Sequence, residues 1–427
     1  MRETKCAAMT IWLVLAMTVT LTDRAAAGWE TQESGTDAFL GDVFFISAQE
    51  GWTVGSWGTV MHTSDGGQSW EEQSTPVANS LSSISFVAPD TGWVAGSSNL
   101  LHTADGGLTW VEQEPGISTN FSGLHFIDSD SGWMAGGKNT YPAGAERAIV
   151  HTSDGGETWT TQLYQEQELP FTDVHFVDAL NGCVVGELGA IFTTSDGGSS
   201  WIERDSGTSM NLNDVFYASP ESLYAVGAGG AILFSEDGGA TWSGQSSGTT
   251  DYLGGIHFTD PATGWAVGGS NDSCRIIHTE DGGATWTPQT CAVPHLLSAV
   301  FFIDYGNGWA VGPYGVIVHT TDGGGVGVEE GQGSVHQPLL ITGVSPNPFR
   351  TLVAVDFTAH SAGTAEAGIY DTSGRLVRRM REELAHSGSS SLRWNGMSDH
   401  GTRCPSGVYI LRLRLEEAEA TALLTLI

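Results

Sequence analysis

Between residues 28 and 325 the chain runs in short stretches of alternating apolar and polar positions, broken by clusters of Gly, Asp, Ser and Asn. A period of two places successive side chains on opposite faces of a strand, and no helical periodicity competes with it here. The stretches recur as a set. An aromatic run (Val43-Phe44-Phe45, Leu124-His125-Phe126, Val174-His175-Phe176, Ile256-His257-Phe258) precedes a Gly-Trp segment (Gly51-Trp52, Gly92-Trp93, Gly132-Trp133, Gly264-Trp265, Gly308-Trp309). An alternating run such as Val150-His151-Thr152 or Val318-His319-Thr320 follows, and then a turn of the type Ser64-Asp65-Gly66-Gly67-Gln68-Ser69-Trp70. The turn aspartates are Asp65, Asp105, Asp154, Asp196, Asp237, Asp281 and Asp322, at intervals of 40, 49, 42, 41, 44 and 41 residues. Four short strands in about 43 residues is the size of one propeller blade. The predicted fold is all-β, a seven-bladed β-propeller.

The turn has a physical job in such a hairpin. Asp accepts its own turn's backbone N–H, the glycines supply positive φ without steric cost, and the Trp covers the turn. Positions repeated alike seven times hold blades rather than contact one ligand, and the same applies to His62, His102, His151, His278 and His319. The seventh copy lacks its Trp strand after Asp322. Trp29, followed by Ser34-Gly35-Thr36, Leu40 and Val43, repeats the spacing after Trp201 and Trp242. Trp29–Thr36 is therefore expected to pair beside the strand ending at Thr320 and close the ring, removing the exposed sheet edges of an open array.

The unit Gly-Trp-x-Val-Gly, x-Ile/Val-x-His-Thr, Asp-Gly-Gly-x-Thr-Trp resembles the Asp-box, or BNR, repeat of sialidase-type propellers. It is most similar to the seven-bladed propellers of the photosystem II assembly and stability factor family, over about residues 28–325. That resemblance implies a non-catalytic assembly or binding propeller. The family is known for a basic patch, where this propeller carries three arginines in an acidic body.

Composition sharpens the picture at both ends. The chain holds 49 acidic and 16 basic side chains, a formal net charge of −33. That balance argues against nucleic-acid binding and against docking on anionic membranes, both of which need clustered Lys and Arg. Residues 30–330 carry 38 acids and 4 bases, residues 331–427 carry 9 of each, and the Gly-rich run Gly323–Gly333 lies at the change. Domains are expected at 1–27, 28–325 and 341–427, with a linker over 326–340. Arg2 and Lys5 before an apolar run to Leu21, then Ala25-Ala26-Ala27, form a secretory signal peptide too short to span a bilayer. An exported monomer without a membrane span follows, at the cell surface or outside the cell.

Residues 341–427 predict a second all-β unit: Val353, Val355 and Phe357 alternate, as do Leu411, Leu413 and Leu415. With Ser345-Pro346-Asn347-Pro348, Trp394-Asn395-Gly396 and Pro405-Ser406-Gly407-Val408-Tyr409, it resembles the Ig-like module of flagellar hook-capping proteins and the type IX secretion sorting domain. The second resemblance implies outer-membrane passage, with surface attachment or release.

Cys274 and Cys291 flank the sixth Asp box and could face each other across a hairpin, in a chain whose export would permit the bond. Cys183 stands where other blades carry Trp and is expected in the core. Sialidase-type propellers use three arginines, a tyrosine–glutamate pair and an acid; Arg147, Arg204 and Arg275 form no evident triad, and no catalytic residue is singled out. Gly244-Gln245-Ser246-Ser247-Gly248 matches a nucleophile-elbow string but sits in a strand-to-strand linker. Asp128-Ser129-Asp130 is an ordinary turn, and no metal or cofactor is expected. Repeat symmetry breaks at Lys138–Arg147 and Leu163–Phe171, on the face opposite the Asp boxes. With Arg275 and Tyr314 these put Lys138, Tyr141, Arg147 and Tyr164 on one rim, a candidate surface for a protein or glycan partner. The expected function is an exported binding or scaffold propeller; the competing class is a glycan-processing hydrolase of sialidase-like type.

Overall fold

A computed structural model describes residues 28–140, 144–325 and, with short breaks, 340–426. The segment expected to be a signal peptide, most of the expected Gly-rich linker and Tyr141 lie outside the described residues. The chain divides near residue 328 into two compact units.

Residues 28–325 form seven four-stranded antiparallel sheets. Their first strands are Leu40–Phe45, Leu81–Phe86, Phe121–Phe126, Phe171–Phe176, Leu212–Tyr217, Tyr252–Phe258 and Ala299–Phe302. Each of these touches its counterpart in the next sheet, and the last touches the first, so the sheets make a closed cycle. They are the inner strands. The unit is a β-propeller.

The cycle closes where the spacing of Trp29 pointed. Glu30–Gln32 pairs with Ile317–Thr320, with Glu30 opposite His319 and Gln32 opposite Ile317. Trp29 then occupies the place held elsewhere by the Trp after each Asp box. It meets Phe302 edge-on at 5.7 Å, as Trp110 meets Phe86 at 6.2 Å. Its indole N–H donates to Gln289 Oε1 at 2.9 Å, as Trp110 donates to Gln73 at 3.1 Å.

The repeated residues hold sheet to sheet. The Trp of each second strand stacks on the Phe ending the next inner strand: Trp52 on Phe86 at 3.8 Å, Trp93 on Phe126 at 3.6 Å, Trp309 on Phe45 at 3.5 Å. Its N–H reaches a carbonyl in the neighbouring Asp box, Gly106 for Trp52 and Gly66 for Trp309. Within a box, Asp65 accepts from the Ser69 N–H and hydroxyl at 2.9 and 2.7 Å, and Gly66 and Gly67 sit at φ 75° and 86°. The histidines His62, His102, His151, His278 and His319 stack on the Trp of their own sheet. Cys183 takes the Trp position in the fourth sheet and is fully buried.

Residues 340–426 form two further antiparallel sheets, one of three strands and one of four. Val353, Val355 and Phe357 from one and Leu411, Leu413 and Leu415 from the other are buried in a single core with Phe349, Trp394 and Tyr409.

Candidate binding site at the propeller axis

An inner strand has a partner on one edge only, so half of its N–H and C=O groups face the axis unpaired. The sequence answers with side chains that reach to the next sheet. Asp42 accepts from the Ile84 N–H at 3.0 Å, Asp173 from Val215 at 3.1 Å and Asp214 from Ile256 at 2.7 Å. Ser83 accepts from Leu124 at the same place in its sheet. Two residues further along, Ser85 accepts from Phe126 and His125 Nδ1 from Phe176, both at 3.1 Å. Two residues before Val174 and Val215, Thr172 and Asn213 donate to the carbonyls of Leu212 and Leu253, each at 2.7 Å.

These latches line an axial cavity of about 830 Å³. Its tiers follow from the alternation of each inner strand. The tier nearest the face opposite the Asp boxes holds small polar residues, among them Ser82, Ser122, Thr172 and Asn213. Next come Asp42, Asp173 and Asp214. The third tier is aromatic, with ring centroids in an unbroken series: Phe44 to Phe301 at 4.9 Å, Phe301 to His257 at 4.8 Å, His257 to Phe216 at 4.6 Å, Phe216 to His175 at 4.8 Å, and His175 to His125 at 4.2 Å. Ser85 fills the seventh place. The cavity is thus a funnel with an aromatic floor toward the Asp-box side and with Phe39, Ser56 and Tyr252 at its mouth.

Each of the three carboxyls keeps a strip of surface on the cavity, yet protein surrounds it on every other side, and that enclosure governs its charge. Burial pushes Asp42 up to about 7. Burial also raises Asp173, and it raises Asp214 further, helped by the charge of Asp173. Those two carboxyls interact as a pair. His125 and His257 are driven down to about 4 and about 3 by burial, and His175 likewise falls, so the aromatic tier is neutral at pH 7.

Of the expected rim residues, Lys138, Arg147 and Tyr164 share one sheet, while Arg275 and Tyr314 belong to others. The Lys138–Arg147 insertion is a strand extension, not a loop, with Lys138 paired to Glu146 and Thr140 to Gly144. Leu163 and Tyr164 belong to the strand Thr160–Glu166 beside it. Lys138 Nζ donates to the Ser118 carbonyl and Tyr164 donates to Glu146 at 2.8 Å. Arg147 is buried over the Phe171 and Phe192 rings and donates to Gln165 at 2.6 Å. Arg275 pairs with Asp251 at 2.7 Å in another depression, and Tyr314 lines a third. Arg147, Tyr164, Arg275 and Tyr314 thus line four separate depressions. Arg204 donates to Thr193. Among the described residues, no arginine lines the axial cavity. Cys274 and Cys291 form a disulfide, Cα atoms 6.1 Å apart. Asp128 accepts from the N–H groups of Asp130 and Ser131, a turn-capping role. Among the described residues, no group of three His, Cys, Asp or Glu is placed to hold a metal, and no helix is long and apolar enough to cross a membrane.

The face opposite the Asp boxes carries a further feature. At equivalent turns between second and third strands, Trp57, Leu188 and Tyr314 adopt left-handed φ of 62°, 55° and 60°. Their side chains are 67%, 61% and 67% exposed.

The family described as photosynthesis system II assembly factor YCF48 matches residues 21–123 and 247–385. A solved YCF48 bound to a D1 peptide aligns with a TM-score of 0.58 at 24% identity, covering 69% of this chain and 97% of that one. YCF48 from Cyanidioschyzon merolae gives 0.57 at 20% identity, covering 69% and 99%. The GH74 xyloglucanase of Xanthomonas campestris gives 0.54 at 13% identity, covering 77% and 59%, a likeness of fold alone. The search of curated proteins returned no match. The family match spans more than half of the sequence, and the chain belongs to the photosystem II assembly factor YCF48 family.

Proposed function

We propose that this chain is an exported, non-catalytic assembly or binding factor. In this reading it is a seven-bladed propeller over residues 28–325, delivered by a signal peptide over 1–27. It is displayed or released through an Ig-like or sorting-type module over 341–427, and its partner is a protein segment. The observation that carries the reading is the turn geometry on the face opposite the Asp boxes. A bulky residue in the left-handed region costs about 1–2 kcal/mol, and Gly229 occupies the same turn of the fifth sheet at φ 68°. Trp57, Leu188 and Tyr314 accept that strain while standing mostly in solvent, the Tyr314 ring resting against His295 at 4.7 Å. Backbone outliers of this kind mark working surfaces, and exposed aromatic anchors are what interfaces use. Trp57 and Tyr314 flank the same 38–39 segment: Ser56 N–H donates to the Phe39 carbonyl and Gly315 N–H to that of Ala38. The solved relative bound to a peptide supports a peptide as the partner class. The acidity of residues 30–330 supports a basic one.

The test is a random-peptide display screen against the purified mature chain, with a glycan array and a hydrolysis assay alongside. Saturable binding of Lys- or Arg-rich peptides, lost in Trp57→Gly/Tyr314→Gly, is expected. Because glycine relieves the strain, that variant should melt at or above the wild-type temperature. Glycan products, or unchanged peptide binding by the double variant, would overturn the proposal.

A further inference from the structure

We propose that the axial funnel is a binding site for an organic cation, an alkylammonium or guanidinium group, entering from the face opposite the Asp-box turns. This goes beyond the aromatic face discussed above, because the site lies on the axis and has its own chemistry.

The first argument compares the three carboxylates with what the latch requires. Ser83 occupies the same place as Asp42 and accepts the corresponding N–H of Leu124 at 3.2 Å. Gly123, Gly255 and Ala299 occupy that place in three other sheets, with no side-chain acceptor at all. A hydroxyl therefore suffices and even nothing is tolerated, whereas an enclosed carboxylate carries a desolvation cost. Asp42, Asp173 and Asp214 supply charge that the ring does not need.

The second argument is the floor. Phe44, Phe216 and Phe301 stand beneath the carboxylates, and a ring face attracts an ammonium or guanidinium group. A small hard metal ion wants six or more oxygens, whereas the funnel offers separated carboxyls over apolar rings. An N–H cation on an aliphatic stem matches that arrangement: its head meets the acids and its stem the mouth residues Phe39 and Tyr252. The raised proton affinities add a signature. A cation displaces protons from Asp42 and from the Asp173–Asp214 pair, with His125, His175, His257 and Tyr252 the other titratable groups facing them.

The experiment is calorimetric titration of the mature chain at pH 8. The probes are n-butylammonium, n-butylguanidinium, spermidine, the neutral isostere n-pentanol and the capped peptide Gly-Lys-Gly. Saturable binding of the cations, none of the alcohol, and proton release seen as a buffer-dependent heat are expected. Asp42→Asn and Asp214→Asn should weaken binding at least tenfold while retaining the wild-type near-ultraviolet circular dichroism. Should either fail to fold, Asp42→Ser, which keeps the latch as Ser83 does, replaces it. Binding by free amines alone assigns the site to small amines. Binding by the peptide assigns it to a partner's side chain; both outcomes support the site. Wild-type protein that binds no cation, or folded Asp variants that bind as wild type, would overturn it. Neither of those results bears on peptide binding lost with Trp57, so the two proposals fail separately.

Discussion

Trp29→Ala isolates what the N-terminal strand contributes. The side chain is 7% exposed, meets Phe302 edge-on and donates to Gln289. Deleting a buried Trp costs about 3–5 kcal/mol. At roughly 2–4 °C per kcal/mol for a domain of this size, the melting midpoint should fall by on the order of 10 °C. Trp110→Ala is the matched control, with the same edge-on ring and the same glutamine acceptor in mid-chain. Its local cost is alike. What differs is topology: Trp29 anchors a strand of three residues at the end of the propeller. Once that strand frays, Ile317–Thr320 becomes a free edge able to pair with another molecule. Urea titration should give similar losses for the two variants. Hydrogen exchange at Ile317–Thr320 and concentration-dependent association should rise in Trp29→Ala only. An unchanged midpoint for Trp29→Ala, or identical exchange of those amides in both variants, would refute the closure argument.

Asp42 has a folded pKa near 7 against an ordinary 3.8. Its stabilising contribution is therefore complete below about pH 4 and lost as pH rises through 7, and Asp42→Asn should gain on wild type by a few kcal/mol, roughly, between pH 4 and 8; equal pH profiles in urea would contradict this. The box aspartates Asp65, Asp105, Asp154, Asp196, Asp237 and Asp281 are held below their ordinary value, by hydrogen bonds from the residue four positions on in every case. Their contribution is present above pH 4 and lost below it, so the propeller should unfold in acid with net proton uptake, measurable by potentiometric titration across the transition. Reducing Cys274–Cys291, which closes a separation of 17 residues, should cost about 3 kcal/mol; a midpoint insensitive to dithiothreitol would exclude that.

The propeller was legible because its local rules repeat. Seven Asp-Gly-Gly turns, the Gly-Trp strands and the Trp29 spacing each recur at one register, so every copy confirms the others. Alternation likewise marked the buried faces of the C-terminal sheets, as at Val353, Val355 and Phe357. The axial site was hidden for the opposite reason. Its residues occupy positions where the copies differ: Asp, Ser, Gly, Asp, Asp, Gly and Ala share one place in the repeat. Phe44, His125, His175 and His257 could be taken only as parts of aromatic strands. Laying the inner strands in register and asking which alternate face points to the axis would have exposed them. The rim residues show another limit. Lys138, Arg147 and Tyr164 do share a sheet, but sequence could not show that Arg147 would fold inward over Phe171 and Phe192.

The axial carboxylates set stability against binding in a way that single changes can separate. A ring that needs acceptors for its inner edges can take them from serine, as the second sheet does at Ser83 and Ser85. Replacing Asp42, Asp173 and Asp214 together by serine keeps hydroxyl acceptors within reach of Ile84, Val215 and Ile256 and removes three enclosed acids. If the latches outweigh the burial of the acids, the triple variant should be less stable than wild type; if the burial of the acids outweighs the latches, it should be more stable at pH 8, where Asp42 is forced to ionise. If the acids serve a ligand, the variant should bind no cation. Proteins commonly give up stability of this kind where a site requires charge. The midpoint difference at pH 8 therefore shows whether the acids cost the fold stability, and cation binding by the same variant decides whether the axis is a site.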